Sequence, residues 1–166
     1  MKQAILFDLD GTLLPMDMNA FMKAYFGGLA TKAREWGYTD SEALVAAIWG
    51  GTAAMVKNDG SRSNEAAFWT RFSEIMGKDA GADIPKFDAY YTKEFHAVKA
   101  TTLACPQAVE AVKTAKQKAE RVILATNPIF PRVAILARLS WIGLEESDFD
   151  LITDYHNSCH AKPNPD

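Results

Sequence analysis

The 166-residue chain carries 18 Lys and Arg against 21 Asp and Glu, a formal net charge of −3, with 48% hydrophobic and 23% charged residues. That composition is close to an average globular protein and excludes a disordered, highly charged chain, while the acidic balance excludes a basic track for nucleic-acid phosphates. The length suffices for one fair-sized core, or for a core with a smaller inserted unit, and makes two independent domains a tight fit.

At the start, the four apolar residues Ala4, Ile5, Leu6 and Phe7 run into Asp8-Leu9-Asp10-Gly11. A short continuous apolar run stopped by a turn suits a strand buried on both faces. It is too short for a signal-peptide core or a membrane span, and no later run is long enough either. Cys105 and Cys159 are the only cysteines. With no secretory segment they read as reduced thiols, and a cytoplasmic location is expected.

Residues 15–104 read as helices. Met18, Phe21, Met22, Tyr25, Leu29 and Trp36 share one helical face with Gly37 as a stop, and Phe68, Trp69, Phe72, Ile75 and Met76 form another ended by Gly77. Leu44, Val45, Ile48 and Trp49 suggest a helix between them, and Phe87, Tyr90, Tyr91 and Phe95 one more. These aromatics are expected in a core. The run is too long for one crossover connection, so an insertion is the simplest account.

Pro106 then opens a helix marked by Ala108, Val109, Val112 and Ala115, and residues 122–125 form a second apolar strand stopped by Thr126-Asn127-Pro128. Pro131 opens a helix through Trp141 that Gly143 can end, and residues 149–153 make a weaker third strand stopped by Asp154. Strand, helix, strand, helix, strand predicts an α/β fold with a parallel sheet.

Ligands of such sheets bind outside the carboxyl ends of the strands, which here carry Asp8 and Asp10, then Thr126 and Asn127. Residues two apart on a strand face one side, so both carboxylates can address one ligand while Leu9 packs away from it. Unit like charges at about 4 Å repel by roughly 4 kcal/mol at an effective dielectric near 20, so a cation or a shared proton must compensate. Carboxylate oxygens with no nearby His or Cys favour magnesium over zinc. Gly11 lets the backbone turn sharply beside the ligand.

Asp8-Leu9-Asp10-Gly11-Thr12-Leu13-Leu14, directly after a hydrophobic strand, resembles the DxDGTL first motif of the haloacid dehalogenase superfamily. The resemblance implies a Rossmann-like parallel core, residues 1–14 and 105–166, with an inserted all-helical (C1-type) cap over residues 15–104 that closes on the site and selects substrate. It implies Asp8 as the nucleophile that forms an aspartyl-phosphate, with Mg2+ bound by Asp8 and Asp10. It implies Asp10 as the acid that protonates the leaving oxygen and then the base for water. Members that displace halide lack the second aspartate, so Asp10 favours phosphoryl transfer.

Thr126 resembles the second motif, whose hydroxyl holds a phosphoryl oxygen, with the Asn127 N–H assisting. Lys162, in Ala161-Lys162-Pro163-Asn164-Pro165, resembles the third, a lysine that neutralises nucleophile and phosphate. Two acids and a phosphate of about −2 exceed what one magnesium balances, and on this reading Lys162 is the site's only fixed cation. The fourth motif, an acidic pair completing the metal shell, is expected after Lys162. The sequence ends at Asp166, so a shortened chain is expected, with residues 4–7 left as an apolar sheet edge.

The implied partner is a small phosphorylated metabolite, with no nucleic acid and no membrane, and nothing in the pattern sets an oligomeric state. A phosphomutase and a catalytically silent binding domain are the alternatives. Lys57, Arg62 and Arg71 are expected as solvated helix-face charges and Asp17 as a helix cap. His156, Cys159 and His160 have a spacing that can bind zinc, with a loop around Lys162 as the plainer reading.

Overall fold

The structure, a computed structural model, describes residues 1–164. A parallel sheet of order β1-β2-β3 is formed by β1 (Lys2–Phe7), β2 (Ala119–Leu124) and β3 (Leu151–Ile152), with Ile5 opposite Val122, Phe7 opposite Leu124 and Ile123 opposite Leu151. The α/β class and the parallel pairing are as the sequence predicts. Each strand begins or ends differently from its apolar run. β2 starts three residues before residue 122, through the exposed Glu120 and Arg121. β3 is shorter than 149–153, and at its start the Asp150 carboxylate accepts the Val122 N–H at 2.6 Å, a place a strand backbone would otherwise take. β1 has a neighbour on one side only among the described residues, and Leu6 is 60% exposed on it.

Between β1 and β2 come α1 (Met18–Arg34), α2 (Ser41–Val56), α3 (Asn64–Met76), α4 (Ile84–Thr92) and a 3-10 segment, Glu94–Thr101. Their ends carry the expected signals. The Asp17 carboxylate accepts the Asn19 and Ala20 N–H groups at the start of α1, and Ser63 caps α3 by accepting from Ala66 N. Gly77 ends α3 at φ 65°, the left-handed conformation that other residues resist. After them, α5 (Pro106–Lys118) precedes β2, and α6 (Arg132–Trp141) lies between β2 and β3.

The chain enters and leaves this helical run through two adjacent segments. Leu103 N donates to Pro15 O at 2.9 Å, and Met16 and Thr102 form an antiparallel bridge. A second junction lies across the strand ends: Asn64, fully buried at the start of α3, donates through Nδ2 to Pro128 O at 3.1 Å and His160 O at 3.0 Å, and accepts at Oδ1 from Asn58. The aromatic core bridges the same space, with Tyr25 of α1 in ring contact with Tyr91, Phe95 and Phe130. Among the described residues no helix is long and apolar enough to cross a membrane.

Candidate active site

β1 delivers Asp8 to its carboxyl end, where a tight turn returns the chain: Thr12 N and Leu14 N both donate to Leu9 O, and Gly11 sits at φ 79°. Leu9 is fully buried, and Asp8 and Asp10 on either side of it line one cavity. The end of β2 brings Thr126 and Asn127 to the same cavity. Thr153 steadies that end by donating from Oγ1 to Thr126 O at 2.7 Å.

Lys162 arrives from the segment after β3. Its backbone N–H donates to Asn127 Oδ1 at 3.0 Å and its Nζ lies 2.8 Å from Asp8 Oδ1. The Thr12 hydroxyl donates to the other Asp8 oxygen at 3.1 Å. All five residues singled out in the sequence, Asp8, Asp10, Thr126, Asn127 and Lys162, are therefore gathered at the strand ends. Asn127 presents its side-chain oxygen to Lys162, a positioning contact that the sequence reading did not include.

The larger omission is Arg138. It lies on the buried face of α6 with Ala134, Ile135 and Leu139, 1% exposed, and its Nη1 pairs with Asp10 Oδ2. Its Nε donates to Ala134 O, and its guanidinium stacks 4.3 Å from the Phe130 ring centre. Asp10 Oδ1 and Arg138 Nη2 are buried with no hydrogen-bond partner among the described residues. The expectation that Lys162 is the only fixed cation is thus corrected. The signal in the sequence is an arginine three residues after Ile135 and one before Leu139, a charge on an otherwise apolar helical stripe.

Each carboxylate now has its own cation: Lys162 for Asp8 and Arg138 for Asp10. The four groups are neutral together, so a phosphate dianion entering here would bring two uncompensated charges. Among the described residues no three His, Cys, Asp or Glu side chains come together to hold a metal ion. His156 Nδ1 instead faces Glu65 Oε2 at 2.7 Å, and His160 Nδ1 faces Asn164. Lys57, Arg62 and Arg71 border a separate depression with Asp59 and Glu74, and Arg71 pairs with Glu74.

The cavity that the strand-end residues share with the helices has a volume of about 430 Å³, and its walls away from the carboxylates are mostly apolar, with many aromatic rings. Tyr25 and Tyr91 share a hydrogen bond at 2.8 Å between their hydroxyls. Burial pushes the Tyr25 hydroxyl up to about 12 and Tyr91 well above its ordinary value, so both stay neutral.

The family model for haloacid dehalogenase-like hydrolases matches residues 2–166. Among solved structures, a HAD family enzyme from Bacteroides thetaiotaomicron is 17% identical, with 99% of this chain and 73% of that chain covered at a TM-score of 0.50. At that identity the likeness is one of fold. No curated protein matches the chain.

Proposed function

This chain belongs to the haloacid dehalogenase-like hydrolases, and from that premise we propose that it removes phosphate from a small phosphorylated metabolite through an aspartyl-phosphate on Asp8, with Mg2+ as cofactor. The observation that carries this reading is the pair of carboxylates at one cavity in unlike surroundings: Asp8 against the exposed Lys162 and Asp10 against the buried Arg138. Residues two apart in sequence so divided are suited to different tasks.

In this reading an Asp8 oxygen attacks phosphorus as the bond to the leaving oxygen breaks, and Lys162 offsets the charge on nucleophile and phosphoryl group. Arg138 pairs with Asp10 Oδ2 and holds the carboxyl in place, and that carboxyl gives a proton to the leaving alkoxide and takes one from the water that releases phosphate. The Thr126 hydroxyl and the Asn127 N–H hold phosphoryl oxygens. Residues 15–104 act as a cap that keeps bulk water from the site over a core of residues 1–14 and 105–166.

The residues present fit magnesium. Their donors are carboxylate oxygens only, Asp10 Oδ1 is a buried acceptor lacking a partner, and a site neutral by itself leaves the two charges of a phosphate dianion for a divalent ion. Asp8 and Asp10 would hold it, with water and phosphate oxygens completing the shell, as is usual for this ion. Bound there, magnesium supplies charge neutralisation on the phosphoryl oxygens. Phosphate release from p-nitrophenyl phosphate tests the reading: release is expected with magnesium and lost on chelation, and Asp8→Asn is expected to abolish it. Undiminished release by that variant would end the assignment of the nucleophile.

A further inference from the structure

We infer that the leaving group of the substrate is a ring-bearing apolar alcohol carrying an amine at its far end, the ring held by the aromatic walls of the cavity and the amine by Asp88. This rests on the phosphatase reading for the position of the phosphate, at Asp8 and Asp10. The bond from phosphorus to the alcohol oxygen breaks as the bond to Asp8 forms, and water then yields inorganic phosphate and the free amino alcohol.

The cavity runs without interruption from those carboxylates to walls that include Phe26, Trp49, Phe68, Trp69, Phe87 and Tyr91. Its volume of about 430 Å³ leaves room for a ring and a short linker beyond the phosphate. A sugar would need partners for several hydroxyls, and the walls have few to give. The Tyr25 and Tyr91 hydroxyls bond to each other and the Thr52 hydroxyl donates to Ile48 O, while Trp69 Nε1 is a buried donor without a partner among the described residues. Hydroxyls desolvated against such walls lose their water without replacement. A ring meets aromatic faces instead.

Asp88, on α4 between Phe87 and Tyr91, is the only charged lining residue outside the strand-end pair among those described. Its carboxylate makes no hydrogen bond or ion pair among the described residues, and it is pushed above its ordinary value chiefly by burial, against the pull of the nearby His156 and with the push of Glu65. His156 is itself occupied by Glu65 at 2.7 Å. A half-buried carboxylate without a side-chain partner, set among aromatic faces, favours an organic cation over a neutral or anionic group.

The experiment compares three primary alkyl phosphates of similar leaving-group acidity on the magnesium-loaded protein: 2-(4-aminomethylphenyl)ethyl phosphate, its 4-methyl analogue and glucose 6-phosphate. Binding of the matching non-hydrolysable phosphonates is measured by calorimetry alongside kcat/KM. The aminomethyl compound is expected to exceed glucose 6-phosphate by about 100-fold and the methyl analogue by about 10-fold, in both binding and turnover. Asp88→Asn is expected to erase the second advantage and keep the ring's advantage over the sugar. Equal treatment of ring and sugar with phosphate still released would overturn this inference and leave the phosphatase standing. Selective binding of the ring-bearing phosphonate with no ester hydrolysed would uphold the pocket and overturn the phosphatase.

Discussion

Arg138 Nη1 lies 2.5 Å from Asp10 Oδ2, joining the middle of α6 to the turn after β1 across 128 positions of sequence. The arginine is 1% exposed and the aspartate side chain 24%, so both charges are largely withdrawn from water and depend on each other. This pair fixes the orientation of the Asp10 carboxyl, and it is the contact on which the division of labour between the two carboxylates depends.

Breaking it by Arg138→Met should leave a carboxylate without its counter-ion and lower stability by about 3–5 kcal/mol. Urea unfolding reads this as a shifted midpoint with an unchanged slope. Adding Asp10→Asn should recover part of the loss, because the stranded charge is then gone. A double variant no more stable than Arg138→Met would argue that the arginine matters through packing on Phe130 instead.

Lys162 presents the opposite case. Its pair with Asp8 is open to solvent, with 49% of the lysine side chain and 36% of the aspartate exposed. Lys162→Ala should therefore change stability by less than about 1 kcal/mol, yet slow phosphate release by about 10²–10³-fold if it acts on the transferring group. Thermal melts and steady-state kinetics on one preparation separate the two effects.

Asn64 ties the start of α3 to the loops after β2 and β3. Asn64→Ala removes donors to Pro128 O and His160 O and a partner of Asn58 in a buried setting. A cost of about 1–3 kcal/mol is expected. Amide exchange should speed up at the Asn64 and Glu65 N–H groups, which donate to Ser158 O and Tyr155 O. Unaltered exchange there would show that the junction holds without the side chain.

Asp83 gives the fold a pH signature. Its carboxyl is held well below the ordinary carboxylate range, first by the Lys86 ammonium at 2.6 Å and then by the Tyr38 hydroxyl, with Lys78 adding to both. Because the folded value is depressed, the contribution is present above the unfolded value of about 3.9 and fades as pH falls through the folded one. Asp83→Asn should be less stable than wild type at pH 7, by about 1–3 kcal/mol for hydrogen bonds to a charged group. The two proteins should converge as pH drops below about 4. Parallel urea midpoints at pH 7 and pH 3 would contradict the assignment.

Short-range patterns carried most of what the sequence disclosed. The Asp8-to-Leu14 turn, the cap at Asp17, the stop at Gly77 and the apolar strands are local, and their chemistry is written in neighbouring residues. Arg138 and Asn64 were illegible for the same reason reversed. Asn64 looks like a surface residue of its helix and Arg138 like a stray charge on an apolar stripe, and the partner that accounts for each burial comes from a distant loop. The aromatic residues were legible as apolar faces but not as walls, since periodicity tells which side of a helix is buried and not whether the opposing side fills the space. Trp49 illustrates the limit: placed on an apolar helical stripe, it borders the cavity with 52% of its surface exposed.

The central claim is that Asp8 becomes covalently attached to phosphorus, and a phosphoryl mimic tests it most directly. With magnesium and beryllium fluoride added, fluorine NMR of the wild-type protein should show a bound, slowly exchanging fluoroberyllate signal that is absent from Asp8→Asn. A bound signal of equal strength in that variant, or none in a magnesium-loaded wild-type protein, would contradict the account.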